Sequence, residues 1–234
     1  MEKSESDSGL EGLIEDCDTL YYYGRSNTVL LTKEAVDKLE LFKNEFRSIN
    51  EKFGFNEFGA IAVGKNINDV YIIYEYYLPK TYEFMSECEV PDNQTYTKYN
   101  PEARIGKLAF TFTSNFLERV RTEAHRKGLE ILGYIHSHPP YYTNAEIPSV
   151  SDTEATMLIS ESKKGGICQL FLANKNRVVT YNIKAGALNT LQEIIKSYSE
   201  DKNYKNIFRM IFPPLVEKRD KDEIRGILKN SLNY

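Results

Sequence analysis

Tryptophan is absent from this chain of 234 residues, and histidine and cysteine occur only three times each. The three cysteines, Cys17, Cys88 and Cys168, are odd in number and far apart, which argues against a disulfide framework. No C-x-x-C pair is present to supply two thiolates to a metal ion. This cysteine usage favours a reducing, cytoplasmic compartment.

The chain also lacks a basic excess and a long apolar run. Its 30 lysines and arginines are outnumbered by 34 acidic residues, so the net charge of −4 gives no sign of nucleic-acid binding. No apolar stretch approaches the roughly 20 residues that span a bilayer, and residues 1–12 lack the basic-then-apolar order of a signal peptide. A hydrophobic content of 41% and a charged content of 27% are typical of a soluble globular protein.

Composition divides the chain into three parts. Residues 1–18 are acidic and serine-rich, and we expect a mobile tail. Residues 19–199 carry regular apolar patterns and predict one domain, interrupted by a polar, tyrosine-rich insertion at 80–103. Residues 200–234 form a C-terminal extension, which we expect to pack on the domain or to contact a partner subunit.

Hydrophobic periodicity predicts alternating strands and helices. The clearest helix begins after Thr32, a plausible N-cap, and repeats apolar residues in steps of three and four up to Phe53. Further helices are predicted at 114–127, 152–163 and 187–199, and strands at 19–31, 59–64, 70–79, 107–113, 129–138, 167–174 and 177–183. Because neighbouring strands are joined as hairpins, the pattern predicts an α/β fold with a mixed, largely antiparallel sheet flanked by helices.

Two of the three histidines, His136 and His138, stand two residues apart at the end of a predicted strand, directly before Pro139. Side chains two apart in a strand point to the same face, with Cα atoms about 6.6 Å apart. Two imidazoles so placed can converge on one metal ion, and the adjacent loop can leave a coordination position open. The pair therefore indicates a metal site.

The third ligand is sought among the acids that follow. Between residues 139 and 154 these are Glu146, Asp152 and Glu154. Ser149 and Asp152 also fit a helix capping box, which is compatible with a ligand role for a rigid first-turn aspartate. Spacing alone also permits a non-haem iron site of two histidines and one carboxylate.

These residues resemble the JAMM (MPN+) family of zinc metalloproteases, which includes deubiquitinases. The family motif combines an upstream Glu, H-x-H-P and S-x-x-D, matched here by Glu57, His136-Ser-His138-Pro139 and Ser149-Val-Ser-Asp152. The family commonly has seven residues between the second histidine and the serine, whereas this chain has ten. Glu146 stands at the usual serine position, so it remains an alternative third ligand.

The resemblance implies a three-layer JAMM/MPN-like, cytidine-deaminase-like fold over residues 19–199 and one zinc ion per chain, held by His136, His138 and Asp152. It implies that Glu57 is the general base and that Ser149 stabilises the oxyanion. The implied substrate is an isopeptide or peptide bond after the C-terminal tail of ubiquitin or a ubiquitin-like protein. Prokaryotic relatives process small sulfur-carrier proteins or other peptides.

Two other functions remain open. Many MPN domains have lost their ligands and act as assembly scaffolds, and an iron enzyme could use the same three ligands. For the insertion at 80–103 we expect a role in shaping the substrate groove, because it carries the aromatic residues Tyr82, Phe84, Tyr96 and Tyr99. A surface loop without that role is the alternative.

Overall fold

The structure is a computed structural model, and it describes residues 12, 15–23, 28–53, 57–67, 69–79, 98–99, 103–105, 110–138, 146–162, 164–197 and 204–231. The described strands are β1 Cys17–Tyr22, β2 Thr28–Thr32, β3 Gly59–Ile67, β4 Val70–Tyr77, β5 Lys98–Tyr99, β6 Ala103–Ile105, β7 Phe110–Phe112, β8 Glu130–His138, β9 Gly165–Leu172, β10 Arg177–Lys184 and β11 Val216–Lys218. The helices among these residues are α1 Lys33–Phe53, α2 Ser114–Arg126, α3 Val150–Ile159, α4 Ala185–Ser197, α5 Tyr204–Ile211 and α6 Lys221–Ser231.

Eight strands form the main sheet in the order β10-β9-β8-β3-β4-β2-β1-β11. Only the β8–β9 and β2–β4 pairs are parallel, so the mixed, mainly antiparallel sheet predicted from the sequence is confirmed. The two outer strands approach each other, since the Leu215 amide donates to the Thr180 carbonyl at 2.9 Å. The sheet is therefore curled almost into a barrel.

Helix α1 packs against the inner face of this curled sheet. It begins after Thr32, whose hydroxyl accepts a hydrogen bond from the Ala35 amide at 3.2 Å, as the N-cap prediction requires. Its apolar stripe contacts inward-facing side chains from β1, β2, β3, β4, β8, β9 and β10. Phe42 is fully buried and stacks on Phe58, with ring centroids 5.7 Å apart. The helix thus forms the centre of the core.

The other helices cover the outer face of the sheet. Helix α2 packs on β3 and β8, α4 and α5 pack on β9 and β10, and α6 packs on β1, β2 and β4. The C-terminal extension packs back on the domain, with Phe208, Ile224 and Leu228 each fully buried. Within the described ranges no helix is both long and apolar enough to cross a membrane.

Helix α3 differs from its predicted range of 152–163, because it spans Val150–Ile159 and ends at Ser160. Beyond it, Glu161 is held on β8 by its amide, which donates to Ile131 at 2.9 Å, and by its carboxylate, which accepts from the Ile131 amide at 2.8 Å. Gly166 lies in β9, where a Cβ atom would stand 2.8 Å from Ser160. This glycine permits close packing of the helix end on the strand.

Helix α2 begins at Ser114, as the sequence predicts, and its N-cap is Thr113, whose hydroxyl accepts from the Phe116 amide at 3.3 Å. Most of the insertion at 80–103 and most of the acidic segment 1–18 lie outside the described residues. Tyr99 belongs to β5, part of a small three-stranded sheet of β5, β6 and β7.

Candidate metal centre

Strand β8 presents the two histidines on its outer face. Ile135 packs inward on the core around α1, so the alternating residues Tyr134, His136 and His138 face the other way. Their rings form a continuous row, with centroids 5.2 Å apart for Tyr134 and His136 and 4.7 Å apart for the two histidines. Packing on Tyr134 therefore fixes the orientation of the His136 ring.

Helix α3 delivers Asp152 to the end of β8 that carries the histidines. The connection from β8 through α3 to the parallel strand β9 starts the helix near the C-terminal end of β8. A capping box holds Asp152, because the Ser149 amide donates to Asp152 Oδ2 at 2.6 Å and the Asp152 amide donates to Ser149 Oγ at 3.1 Å. The Tyr134 hydroxyl also donates to the Asp152 carbonyl at 3.3 Å, tying the helix to the strand.

His136, His138 and Asp152 converge into a group that could hold a metal ion, with one ligand atom from each lying within 4.8 Å of the others. The two Nε2 atoms are 2.9 Å apart, Asp152 Oδ1 lies 3.4 Å from His136 Nε2, and Asp152 Oδ2 lies 3.7 Å from His138 Nε2. A tetrahedral zinc site with bonds of about 2.0–2.1 Å needs donor separations of about 3.3–3.4 Å. The separation of the two Nε2 atoms and that of His136 Nε2 from Asp152 Oδ1 are therefore close to those of a tetrahedral site.

The protonation states also suit a cation. Burial lowers the pKa of His136 to about 4, so its imidazole is neutral near pH 7. Burial opposes the ionisation of Asp152, but the two histidines and the Ser149 amide hold the pKa of this carboxyl well below its usual value. The neutral His136 imidazole and the Asp152 carboxylate are therefore in the forms that bind divalent metals.

Glu57 is aligned with the histidines by the pairing of β3 with β8. Gly59 lies opposite His136, and continuing this antiparallel register by two residues places Glu57 opposite His138 on the same face. Glu57 is only 9% exposed and does not belong to the group of three ligands. Burial first, and the Asp152 charge second, raise the pKa of Glu57 to about 8.

Ser137 was not singled out in the sequence, yet it extends the β3–β8 pairing to the site. Its hydroxyl accepts from the Phe58 amide at 2.8 Å, and its own amide donates to the Phe58 carbonyl at 2.8 Å. Its position between two outward-facing histidines could have revealed it, because alternation along the strand points the Ser137 side chain toward the core. Ser137 thereby fixes the backbone beside Glu57.

Glu146, the alternative third ligand, is engaged elsewhere. Its carboxylate accepts from Lys175 at 2.5 Å and from Arg177 at 2.8 Å. The Lys175 hydrogen bond is the main cause that lowers the pKa of Glu146. The structure thus brings Asp152, and not Glu146, to the histidines.

Ser149, predicted to stabilise an oxyanion, lies at the start of α3 and is exposed. Its hydroxyl oxygen accepts the helix-capping bond, so the hydroxyl proton is still available to donate. The hydroxyl is close to the metal group because it contacts the amide of Asp152. Its capping role and a role toward substrate are compatible.

No protein-family model matches this chain, and no curated protein matches it. One structural neighbour is the solution structure of protein DSY2949 from Desulfitobacterium hafniense. The two chains are 15% identical, with a TM-score of 0.42 over 67% of this chain and 84% of the other. Such a distant likeness carries no information about function. The fold and the three converging side chains define a mixed α/β protein with a candidate metal centre.

Proposed function

We propose that this protein is a zinc-dependent hydrolase of amide bonds, related in its mechanism to the JAMM/MPN+ isopeptidases. The observation that carries the proposal is the convergence of His136, His138 and Asp152 beside a buried acid, Glu57. Many MPN-type scaffolds lack these ligands, so their presence here supports a catalytic role. The three-layer arrangement of that family and a cytoplasmic location are part of the proposal.

Zinc would be held by His136, His138 and Asp152, and when bound it supplies a Lewis acid that activates water and polarises a carbonyl. Glu57 accepts the proton of the attacking water and transfers it to the leaving amine nitrogen. Without a metal, a pKa of about 8 keeps most of the Glu57 carboxyl protonated at pH 7. A cation bound beside it would lower this pKa and favour the carboxylate that accepts the proton. The buried position of Glu57 keeps the proton from exchanging with bulk solvent.

Ser149 donates its hydroxyl proton to the oxygen that becomes negatively charged when the amide carbon is attacked. The capping bond from the Asp152 amide fixes the hydroxyl oxygen at the start of α3. A donor held in advance costs no reorganisation during the reaction, and one such donor is worth about 3 kcal/mol in comparable sites.

The proposed substrate is the extended C-terminal tail of ubiquitin or a ubiquitin-like protein, joined to a lysine or to a further chain. We propose that the insertion at 80–103 shapes the groove for this tail and that the C-terminal extension contributes to partner binding. The substrate class rests on the resemblance of the motif alone.

The test uses purified full-length protein, first analysed for its metal content. We expect about one zinc per chain, and we expect cleavage of a ubiquitin-like conjugate that stops when a chelator is added and returns with zinc. Stoichiometric zinc without cleavage of any conjugate would favour the scaffold function. Bound iron, with activity that depends on it, would favour the oxygenase alternative.

A further inference from the structure

A cavity of about 230 Å³ lies at the end of β10 that is remote from the metal centre. It is lined by Asn182, Lys184, Ala187, Ile211, Phe212 and Pro213. In the sheet Lys184 pairs with Gly165 at the start of β9, whereas His138 pairs with Leu172 at the end of β9. The length of β9 therefore separates this cavity from the three candidate ligands.

Asn182 is the polar group that distinguishes the cavity. It is only 5% exposed, and neither its Oδ1 nor its Nδ2 atom has a hydrogen-bond partner among the described residues. Leaving a buried donor or acceptor unsatisfied is costly, so such groups are usually paired with water or a ligand. A planar group that offers one donor and one acceptor side by side would satisfy both atoms.

The same cavity favours a negative charge. Lys184 lies two residues after Asn182 on the strand and so faces the same side, with Cα atoms about 6.6 Å apart. Ala187 lies in the first turn of α4, which contains no acidic residue, and the N-terminal end of a helix carries a partial positive charge. Among the residues that the structure describes, none of those lining the cavity is acidic, so none of them neutralises these charges.

We propose that this cavity binds a small carboxylic acid that also carries an amide group. The amide pairs with the Asn182 side chain, the carboxylate lies between Lys184 and the start of α4, and the carbon chain packs on Ile211, Phe212 and Pro213. The ligand must be small, because pockets for drug-sized molecules measure about 300–1,000 Å³. This inference is independent of the proposed hydrolase function.

Succinamate is the probe that tests the site, since it carries one carboxylate and one primary amide. Succinate lacks the amide, and butyramide lacks the carboxylate. We expect saturable binding of succinamate in an NMR titration of the full chain, at least tenfold tighter than either analogue. We also expect its thermal midpoint to rise with succinamate concentration.

Asn182→Leu and Lys184→Gln should each weaken succinamate binding at least tenfold, whereas Lys229→Gln on the exposed side of α6 should not. Asn182→Leu replaces two unsatisfied atoms with an apolar group of similar size, so it should fold and be no less stable in the absence of ligand. Asn182→Asp, which keeps the size but removes the amide donor, should weaken binding too. Three results would each overturn the proposal and assign water to the cavity. These are absence of saturable binding, equal binding of the three probes, and unchanged binding to the Asn182 variants.

Discussion

At the scale of single residues, Asp152 has two roles that experiments must separate. Its side chain accepts the Ser149 amide in the capping box and also points at both histidines. Any substitution that breaks the cap would disturb the metal site indirectly. Asparagine keeps an oxygen that can accept the capping bond but removes the charge that attracts a cation.

Asp152→Asn should therefore weaken zinc binding by more than about 100-fold, more than the 10–100-fold typical of a group outside the ligand set. Glu146→Gln is the matched control, and it should leave zinc affinity unchanged because Lys175 and Arg177 hold Glu146 away from the histidines. Competition with a chromophoric chelator measures both affinities. The reverse order of the two effects would make Glu146 the ligand.

Glu57→Gln should leave zinc in place but lower kcat on a competent substrate by about 10²–10⁴-fold, the usual contribution of a general acid–base group. The reason is that Glu57 lies beside the ligand set and not in it. Zinc content and steady-state kinetics are measured on the same preparation, with Glu51→Gln on the exposed side of α1 as the control. Near-normal turnover in Glu57→Gln would remove the general-base assignment.

The residue pattern was sufficient to predict that His136 and His138 share one face and that a downstream acid, Asp152 or Glu146, joins them. The two-residue spacing fixes the shared face of the histidines, and the S-x-x-D pattern fixes the start of the helix. The pattern could not predict the contact of Ser137 with Phe58, because that bond joins residues 79 positions apart in sequence. It also could not decide between Asp152 and Glu146, since the choice depends on Lys175 in the turn between β9 and β10 and on Arg177 at the start of β10.

At the scale of secondary-structure elements, the start of α3 carries both stability and the proposed oxyanion donor. Ser149→Ala removes the N-cap oxygen and should lower the free energy of unfolding by about 0.5–2 kcal/mol. Ser149→Gly should cost only a few tenths of a kcal/mol, because glycine is tolerated at the N-cap. Denaturant unfolding distinguishes the two variants.

Both Ser149 variants lack the hydroxyl, so both should lose kcat by about 10²–10³-fold if that hydroxyl stabilises the oxyanion. A capping role alone would leave Ser149→Gly close to wild-type activity and impair only Ser149→Ala. The comparison is informative because stability differs between the variants while the missing donor is the same.

Element types were predictable and their ends were not. The strands of the hairpin from β9 to β10 and the helix α1 follow from local periodicity. The end of α3 does not, because it is set by the bonds of Glu161 to Ile131 in a strand that precedes the helix. Helix propensity alone would extend α3 through residues 160–163.

At the scale of the whole molecule, the C-terminal extension completes the core. Phe208 is fully buried against Tyr181 and Phe212, with ring centroids 5.4 and 5.1 Å away. Phe208→Ala should lower the free energy of unfolding by about 3–5 kcal/mol, the range for a large aromatic side chain removed from a core. Met210→Ala, at a residue 85% exposed on the same helix, should change it by less than about 0.5 kcal/mol.

Thermal or denaturant unfolding of the two variants checks this prediction. Equal effects of Phe208→Ala and Met210→Ala would mean that α5 does not contribute to the stability of the domain. The sequence predicted that residues 200–234 pack on the domain or contact a partner subunit, but it did not identify the strands that these residues cover. Helices α5 and α6 pack on β10 and β1, and contacts between segments so far apart in sequence cannot be predicted from local patterns.

The pairing of β1 with β11 has a consequence for biosynthesis. The carbonyl of Cys17 accepts a hydrogen bond from Lys221, a residue 204 positions later, and the neighbouring Leu20 pairs with Lys218. During translation β1 leaves the ribosome long before the strand and helix that will cover it. At a synthesis rate of about 5–20 residues per second, β1 is made at least about ten seconds before the residues that cover it. A nascent chain of this protein is thus expected to depend on chaperones until its last helix has emerged, and pulse-labelled chains should remain protease-sensitive for that interval.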